Sequence, residues 1–346
     1  MNCDVYVCQT IYHLYQTLLL TCNGDKKVIV ILTDFTKGLV DYKERLKIIP
    51  NIHDVIYIEN EKIEIKIKSK NVFEKIFLLS RYKENILKEY NLNYPELNDL
   101  IKNSSVKLFV DKSFIGHYCC FVNERVTLLD DGEANYFPNK FNIMYFIKHH
   151  IFSIPFGRGR SRYIKSVHYR EPCKVPPCQR RYIGKKLFSL DLNLLEQGLT
   201  NSDKEYILDF FGVLSIQSKN EHNCILFTQP FSEDGFISED MKISIYANIV
   251  KSKLKQGYLV YVKPHPREST NYEAFLGYSN VIVLSSLFPS EVFNIIKNFS
   301  FDEGIAIQST ALSTANYIEK KHELGYSSYP ELMKGKEKID NVVLKR

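Results

Sequence analysis

The sequence lacks any long, uninterrupted apolar run. A membrane-spanning helix needs about 20 consecutive and mainly apolar residues, and no segment of the 346 residues comes close. The first twenty residues, MNCDVYVCQTIYHLYQTLLL, are interrupted by Asp4. They have no basic region before them and no small-residue cleavage site after them, so they do not match a signal peptide. We therefore expect a cytoplasmic protein.

Three common catalytic motifs are missing as well. The sequence has no GxxxxGK[ST] phosphate loop, no GxGxxG after a predicted strand and no GxSxG. These motifs supply the phosphate cradle, the dinucleotide turn and the nucleophilic serine of three large enzyme classes. Their absence argues against nucleotide hydrolysis, dinucleotide redox chemistry and serine hydrolysis.

The charge excess and the cysteine pattern are both modest. The net charge is +6 with a pI near 8.7, which suits an anionic ligand or membrane surface and is weak for a nucleic-acid binder. Cys173 and Cys178 have no second Cys/His pair at zinc-site spacing, so no metal site is predicted. Free thiols among the eight cysteines fit a reducing compartment.

Short apolar runs alternate with helix-like segments through both halves of the chain. In the first half we predict strands at 4–8, 27–33, 54–59, 106–111 and 125–131, and helices at 11–22 and 72–90. In the second half we predict strands at 223–230, 258–266 and 281–286, and helices at 238–256 and 290–298. Residues 299–315 read as strand, turn, strand and helix. This alternation predicts an α/β protein with two Rossmann-like, parallel-sheet domains that face a central cleft.

A basic segment, residues 157–186, separates the two halves. It is rich in Arg, Lys, Pro and Gly and has no clear periodicity, so it reads as an extended insert or a connection. The predicted division is an N-terminal, acceptor-side domain at 1–155, the insert and connection at 156–220, a nucleotide-sugar domain at 221–325 and a tail at 326–346.

Polar clusters follow several predicted strands. In Asp130-Asp131-Gly132 a carboxylate can act as a general base, and the glycine lets a substrate approach the backbone closely. Asp and Gly also favour simple turns, so the motif can equally be a turn. His265-Pro266 lies between Lys263 and Arg267, whose positive charges would help it to bind a phosphate. The alternative is a solvated surface loop.

Hydroxyl and acidic residues form a second set of candidates. Ser309-Thr310 precedes a predicted helix, where it can bind phosphate or act only as a cap. Glu291 can bind ribose hydroxyls or simply favour a helix start. Other candidates follow the first strand of each half: Thr10, Tyr12, His13 and Gln229. His13 can equally be an ordinary helix residue.

Taken together, the motifs resemble those of the bacterial sialyltransferases. That group shares an acidic-acidic-Gly motif, a later His-Pro motif and a later Ser-Ser/Thr motif, which stand here as Asp130-Asp131-Gly132, His265-Pro266 and Ser309-Thr310. The phrases VYVCQTIYHLYQ and FTQPFSEDG also resemble the lipooligosaccharide sialyltransferase family, glycosyltransferase family 52.

The resemblance implies a GT-B fold and a set of roles. Asp130 would be the general base, with Asp131 as the second choice, and His265 would contact the CMP phosphate and protonate it. The implied donor-binding residues are Ser309, Thr310, Glu291, Pro266, Gln229 and Gly132. The implied acceptor-side residues are Thr10, Tyr12 and His13. The reaction would invert the anomeric centre, need no metal or cofactor, and move sialic acid from CMP-sialic acid to a galactoside-type hydroxyl of capsule or lipooligosaccharide.

The sequence is also compatible with other functions. One is a related transferase that uses another nucleotide sugar, and another is a non-catalytic protein that binds nucleotide sugars or polysaccharides. Residues 157–186 carry Arg and Tyr side chains that could bind nucleic acid, but such runs are more often solvated or membrane-facing. We expect no nucleic-acid partner, and both peripheral contact with the inner membrane face and homodimer formation are compatible with this sequence.

Overall fold

The computed structural model describes residues 3–67, 79–138, 147, 151–152, 154–214, 216 and 222–335. The chain forms two compact units, unit 1 (Met1–Asp203) and unit 2 (Lys204–Arg346). Each unit is built around one parallel sheet, which confirms the predicted fold class of two Rossmann-like α/β domains.

The sheet of unit 1 has seven strands in the described residues, in the order β3-β2-β1-β4-β5-β6-β7. They are β1 (Asp4–Cys8), β2 (Val28–Thr33), β3 (Ile52–Ile58), β4 (Ser105–Leu108), β5 (Val126–Leu129), β6 (Ile164–Tyr169) and β7 (Leu187–Ser189). Each described pairing is parallel. The carboxyl ends of all these strands therefore lie along one edge of the sheet.

Helices connect or follow these strands, and the side chains of Thr10, Ser113 and Asp191 cap three of them. The described helices are α1 (Ile11–Cys22), α2 (Lys43–Leu46), α3 (Asn60–Ile67), α4 (Tyr82–Asn93), α5 (Glu96–Lys102), α6 (Phe114–Val122), α7 (Pro177–Ile183) and α8 (Leu192–Gly198), followed by α9 (Asn201–Phe210), which begins in unit 1 and continues into unit 2. Thr10 caps α1 by accepting a hydrogen bond from the backbone N–H of His13, and Ser113 caps α6 in the same way.

The sheet of unit 2 has five strands in the described residues, in the order β10-β9-β8-β11-β12, again with parallel pairings. They are β8 (Asn223–Phe227), β9 (Leu259–Lys263), β10 (Val281–Val283), β11 (Phe301–Ala306) and β12 (Ile318–Glu323). The helices are α10 (Glu239–Lys255) and α11 (Thr310–Thr314), with 3-10 turns at Glu273–Gly277, Ser290–Ile295 and Tyr326–Ser328.

The central strands β8 and β9 are buried along their whole length, and β1 is buried at every position after Asp4, which explains their nearly continuous apolar sequences. Val5 and Val7 of β1 belong to the core of unit 1, while Leu226 and Val262 belong to that of unit 2. A parallel sheet with both faces covered favours such runs over alternation. The strands predicted at 4–8, 27–33 and 223–230 and the helices at 11–22 and 238–256 are confirmed within a few residues.

The segment 157–186 differs from its prediction as an extended insert. Residues 164–169 form β6, which pairs with β5 inside the sheet, and Pro177–Ile183 forms α7. Unit 1 accordingly runs to Asp203, well beyond residue 155. Asp111 fixes the start of the segment by accepting 2.7 Å hydrogen bonds from the backbone N–H groups of Arg158 and Gly159.

Four other predicted segments differ from the structure or lie partly outside the described residues. Residues 299–315 contain one strand and one short helix where two strands were expected, and 290–298 forms a 3-10 turn at Ser290–Ile295. The helix predicted at 72–90 is seen from residue 82 onward, and part of it lies outside the described residues. The same is true of residues 336–346 in the tail.

Candidate active site

The acidic motif lies at the carboxyl edge of the sheet in unit 1. Asp130 and Asp131 directly follow β5, and Gly132 then adopts φ 106° and ψ −159°. That conformation is essentially restricted to glycine, and a Cβ at this position would meet nothing within 4 Å. The glycine is therefore required by the backbone turn that separates the two carboxylates from the following 3-10 turn.

Asp130 is fully buried, and its carboxylate accepts several hydrogen bonds. Oδ1 accepts from the backbone N–H of Gly132 at 2.6 Å. Oδ2 accepts from the backbone N–H of Arg170 at 2.9 Å and from the hydroxyl of Tyr136. Burial and the neighbouring Asp130 carboxylate raise the pKa of Tyr136, which keeps that hydroxyl a donor. Through these hydrogen bonds Asp130 connects the end of β5 with the end of β6 and with the loop after β5.

Asp131 is the more accessible carboxylate of the pair. Its side chain is 25% exposed, whereas the side chain of Asp130 has no exposed surface. Oδ1 of Asp131 lies 2.7 Å from Nε2 of His13, near the start of α1. The two adjacent acids thus differ in environment, one enclosed by donors and the other partly open to solvent.

His13 is buried beside Asp131 in a fixed orientation. Its ring stacks on Phe109, with the centroids 4.3 Å apart and the planes 6° from parallel. Nδ1 accepts from the backbone N–H groups of Gln9 at 3.0 Å and Thr10 at 3.3 Å. His13, predicted as an acceptor-side residue, is thus brought directly to the acidic motif.

Arg170 is a charged residue of this site that the sequence reasoning missed. It follows β6 directly, and its Nε lies 3.8 Å from Oδ1 of Asp130. Its guanidinium also lies 5.6 Å from the ring centroid of Tyr12, a predicted acceptor-side residue. The signal was the same as for the acids, a polar residue after a strand, but the strand itself was not predicted.

The His-Pro motif lies at the carboxyl end of β9 in unit 2. Nδ1 of His265 accepts from the backbone N–H of Arg267 at 3.1 Å, so a neutral ring carries its proton on Nε2. Burial, followed by the positive charges of Arg267 and Lys263, lowers the pKa of His265 to about 4. Pro266 follows in the same turn.

Lys263 is buried next to this motif. Its ammonium donates to the carbonyl of Pro264 at 3.1 Å and lies 4.5 Å from the ring centroid of Phe288. Burial lowers its pKa to about 7, an effect that Glu291 and Glu268 oppose. The charge of Glu291, the predicted ribose-binding acid, thus acts on Lys263 at the end of β9, the strand that precedes the His-Pro motif.

Glu268 anchors the loop of the His-Pro motif and was also missed. Its Oε1 accepts from the backbone N–H of His265 at 2.8 Å and from Oγ1 of Thr228 at 2.6 Å. The fully buried ammonium of Lys242 lies 3.7 Å from Oε2. The ion pair between Glu268 and Lys242 of α10 therefore helps to fix the backbone of His265.

The remaining predicted donor-binding residues lie at element ends in unit 2. Glu291 is in the 3-10 turn Ser290–Ile295, and Gln229 follows β8, where its backbone N–H donates to the Tyr246 hydroxyl at 2.8 Å. Ser309 is the N-cap of α11, and its side chain makes no capping hydrogen bond to the described helix backbone. Thr310 begins that helix, and the structure describes its backbone but not its side chain.

The part of the chain that the structure describes contains no group of three or more His, Cys, Asp or Glu side chains placed to hold a metal ion. No helix within the described ranges is both long and apolar enough to cross a membrane.

Two parallel α/β sheets, each with polar clusters at the carboxyl ends of its strands, define a fold of the GT-B type. A crystal structure supports this assignment: the GT-B domain of a sialyltransferase from Photobacterium damselae, residues 113–497. The two structures match with a TM-score of 0.56 and 14% sequence identity, over 92% of this chain and 89% of that one. At this identity the likeness concerns the fold.

The chain belongs to the alpha-2,8-polysialyltransferase (POLYST) family, whose model matches residues 4–324. It is also 33% identical over 210 residues to an uncharacterized protein of Haemophilus influenzae. The aligned residues make up 60% of this chain and 64% of that protein. The match thus spans less than two thirds of that relative. The predicted membership of a sialyltransferase family of glycosyltransferases is confirmed, while the narrower assignment to glycosyltransferase family 52 stays a prediction.

Proposed function

We propose that the protein is an inverting sialyltransferase that moves sialic acid from CMP-sialic acid to a hydroxyl of a surface glycan. Its membership of a polysialyltransferase family over residues 4–324 carries the proposal. The reaction is a single displacement in which the acceptor oxygen attacks the anomeric carbon and the bond to the CMP phosphate breaks. The acceptor proton passes to a protein carboxylate, and no metal or cofactor takes part.

We assign the role of general base to Asp131, the second choice of the sequence analysis. A base must reach the hydroxyl whose proton it takes. The side chain of Asp131 is 25% exposed, whereas Asp130 is enclosed by donors from Gly132, Tyr136 and Arg170. Asp130 then serves to hold the turn that presents Asp131.

His265 supports departure of CMP in this proposal. Because its pKa is lowered to about 4, the imidazole is neutral near pH 7, with its proton on Nε2. A neutral Nε2–H can donate to a phosphate oxygen without a prior protonation step, and the growing negative charge on CMP strengthens that hydrogen bond. Ser309 and Thr310 are proposed to bind the same phosphate and Glu291 the ribose.

The family description favours a sialic acid as the acceptor. An α-2,8 linkage joins one sialic acid to the O8 hydroxyl of the next, so the acceptor end is itself a sialyl residue. The sequence analysis predicted a galactoside-type hydroxyl as the acceptor, so an acceptor that ends in galactose should be tested beside one that ends in sialic acid. A capsule or lipooligosaccharide role at the cytoplasmic side of the membrane is part of the same proposal.

The first experiment measures CMP release and product formation from CMP-sialic acid in EDTA, with oligosialic acid and lactose as separate acceptors. Asp131→Asn is expected to lower kcat by about 10²- to 10⁴-fold, the usual contribution of a general base, with an unchanged melting temperature. Asp130→Asn is the matched variant one residue earlier. It is expected to lower the melting temperature, because it removes a buried acceptor.

The other outcomes are equally specific. If Asp131→Asn stays active while folded Asp130→Asn is inactive, the base is Asp130, as the sequence first suggested. Consumption of UDP-glucose or UDP-galactose with no use of CMP-sialic acid would move the donor to the related-transferase alternative. Binding of CMP-sialic acid without turnover on either acceptor would indicate the non-catalytic alternative.

A further inference from the structure

His13 and Asp131 form a buried pair whose geometry determines where the imidazole proton lies. Backbone N–H groups can only donate, and two of them, from Gln9 and Thr10, point at Nδ1 of His13. Nδ1 must therefore present its lone pair, so the proton of the neutral ring is on Nε2. That nitrogen lies 2.7 Å from Oδ1 of Asp131, which accepts the hydrogen bond.

The pair also joins the start of a helix to the acidic motif. His13 occupies the N3 position of α1, where its side chain accepts from the backbone N–H of Thr10 while Oγ1 of Thr10 accepts from the backbone N–H of His13. This reciprocal capping box usually has Glu or Gln at N3. A histidine can cap the helix with one ring nitrogen and still donate with the other.

The stacking contact removes the remaining freedom of the ring. Phe109, just after β4, lies parallel to the imidazole at 4.3 Å, and the side chain of His13 has no exposed surface. With Oδ1 of Asp131 held by this ring, the carboxylate cannot rotate freely.

We propose that His13 is a positioning residue that orients the Asp131 carboxylate for proton abstraction, and that this role explains a histidine at a helix-capping position. The inference rests on the proposed function, in which Asp131 is the base. His13 itself exchanges no proton with the substrate. It directs the second carboxylate oxygen of Asp131 toward the acceptor hydroxyl.

Two substitutions separate orientation of Asp131 from helix capping. His13→Gln retains both functions, because an amide has an oxygen that can cap Thr10 and an N–H that can donate to Asp131. His13→Glu retains the cap but replaces the donor with a second carboxylate. His13→Gln should therefore melt near the unmodified protein, whereas His13→Glu should melt lower, because it buries a second carboxylate beside Asp131. The kinetics of both variants are therefore measured at a temperature at which each is folded.

The expected kinetics follow from that difference. We expect His13→Gln to keep kcat within about tenfold of the unmodified protein and His13→Glu to lower it by about 100-fold or more, with KM for CMP-sialic acid unchanged in both. In an Asp131→Asn background, His13→Glu should cause no further loss, because residues that act as a unit are not additive. Equal losses in the two His13 variants, or an additive loss in the double variant, would overturn the inference.

A second readout keeps this inference distinct from the proposed function. In protein labelled with ¹⁵N-histidine, NMR should show His13 with its proton on Nε2, and Asp131→Ala should shift that signal while leaving the signal of His265 in place. A proton on Nδ1, or no response to Asp131→Ala, contradicts the pair whatever the activity. If the unmodified protein transfers no sugar but the NMR result holds, only the proposed function fails.

Discussion

Lys242 is an unusual residue of unit 2 because its ammonium is completely buried. It lies 2.7 Å from a carboxylate oxygen of Glu233, 3.4 Å from one of Glu239 and 3.7 Å from one of Glu268. Burying a charge is costly, and paired carboxylates offset that cost. Since Glu268 also holds the backbone N–H of His265, this ion cluster stabilises the loop proposed to contact the donor phosphate.

Lys242→Met should therefore weaken both the fold and donor binding. Removing one partner from a buried ion pair costs about 3–5 kcal/mol, and here the carboxylate left buried without its partner is that of Glu268, which is 1% exposed. We expect a lower free energy of unfolding by urea denaturation and a higher KM for CMP-sialic acid in the protein that remains folded. Lys62→Met, which removes an exposed pair with Glu59, is the control and should change neither. A Lys242→Met protein with unaltered stability would contradict this account.

The candidate site residues that could be placed from the sequence are those that follow strongly apolar strands. Asp130, Asp131 and His265 each follow such a strand, so alternation alone located them. Lys242 and Glu268 were not found, because a charged residue inside a polar helix or loop gives no sign in the sequence that it is buried. Only the tertiary structure reveals that the two meet.

At the scale of elements, β6 shows where sequence periodicity fails. Its sequence IKSVHY places Ile164, Val167 and Tyr169 in the core, but Lys165 is exposed and Ser166 and His168 are only half-buried. The strand lies one position from the edge of the sheet, so one face stays partly polar and the apolar run is broken. Central strands such as β1 carry no such interruption and were predicted nearly to the residue.

Helix α6 contains a buried histidine that should make stability depend on pH. Burial lowers the pKa of His117 to about 4, from an ordinary value near 6.5. As the pH falls from about 6.5 to 4, the unfolded chain takes up a proton that the folded protein resists. Stability from this group is complete above pH 6.5 and is lost over that window, by up to about 3 kcal/mol.

The measurement compares unfolding free energies of the unmodified protein and His117→Gln between pH 7 and 4. The amide keeps an acceptor for the hydroxyl of Tyr82 but does not titrate. The variant should lose less stability on acidification. Asp111 acts in the opposite sense, since burial raises its pKa to about 6, but it is present in both proteins and cancels. Parallel pH curves for the two proteins would refute the assignment.

At the scale of the whole molecule, positive charge is concentrated in residues 157–186. Of the exposed basic side chains there, Arg180 donates to the backbone carbonyls of Pro172 and Cys173, and Lys174 pairs with Glu171, the one acidic residue of this segment. Most of the positive charge therefore has no acidic residue nearby in the sequence to offset it. We propose that this surface of unit 1 makes peripheral contact with anionic lipid, consistent with an acceptor glycan carried at a membrane.

Liposome sedimentation tests that contact. Vesicles containing anionic lipid should bind the protein at low salt, and a triple variant, Arg162→Gln, Arg181→Gln and Lys185→Gln, should bind about 100-fold less. Each basic residue near an anionic surface contributes about 1 kcal/mol. The control changes Lys47, Lys62 and Lys66 to Gln, which removes the same charge from exposed positions elsewhere. Equal binding by the two variants would sink the proposal.

The order of strands in unit 1 has a consequence for how the chain is made. β1 lies between β2 and β4, and Val5 pairs with Val106, about 100 residues later in the chain. A ribosome adds about 5–20 residues per second, so one edge of this apolar strand waits on the order of 5–20 s for its neighbour to be synthesised. During that interval the nascent chain exposes a strand edge on which other chains can pair. The arrangement that later brings His13 to Asp131 is therefore also the one that makes early folding depend on slow, long-range closure and on protection of the growing chain.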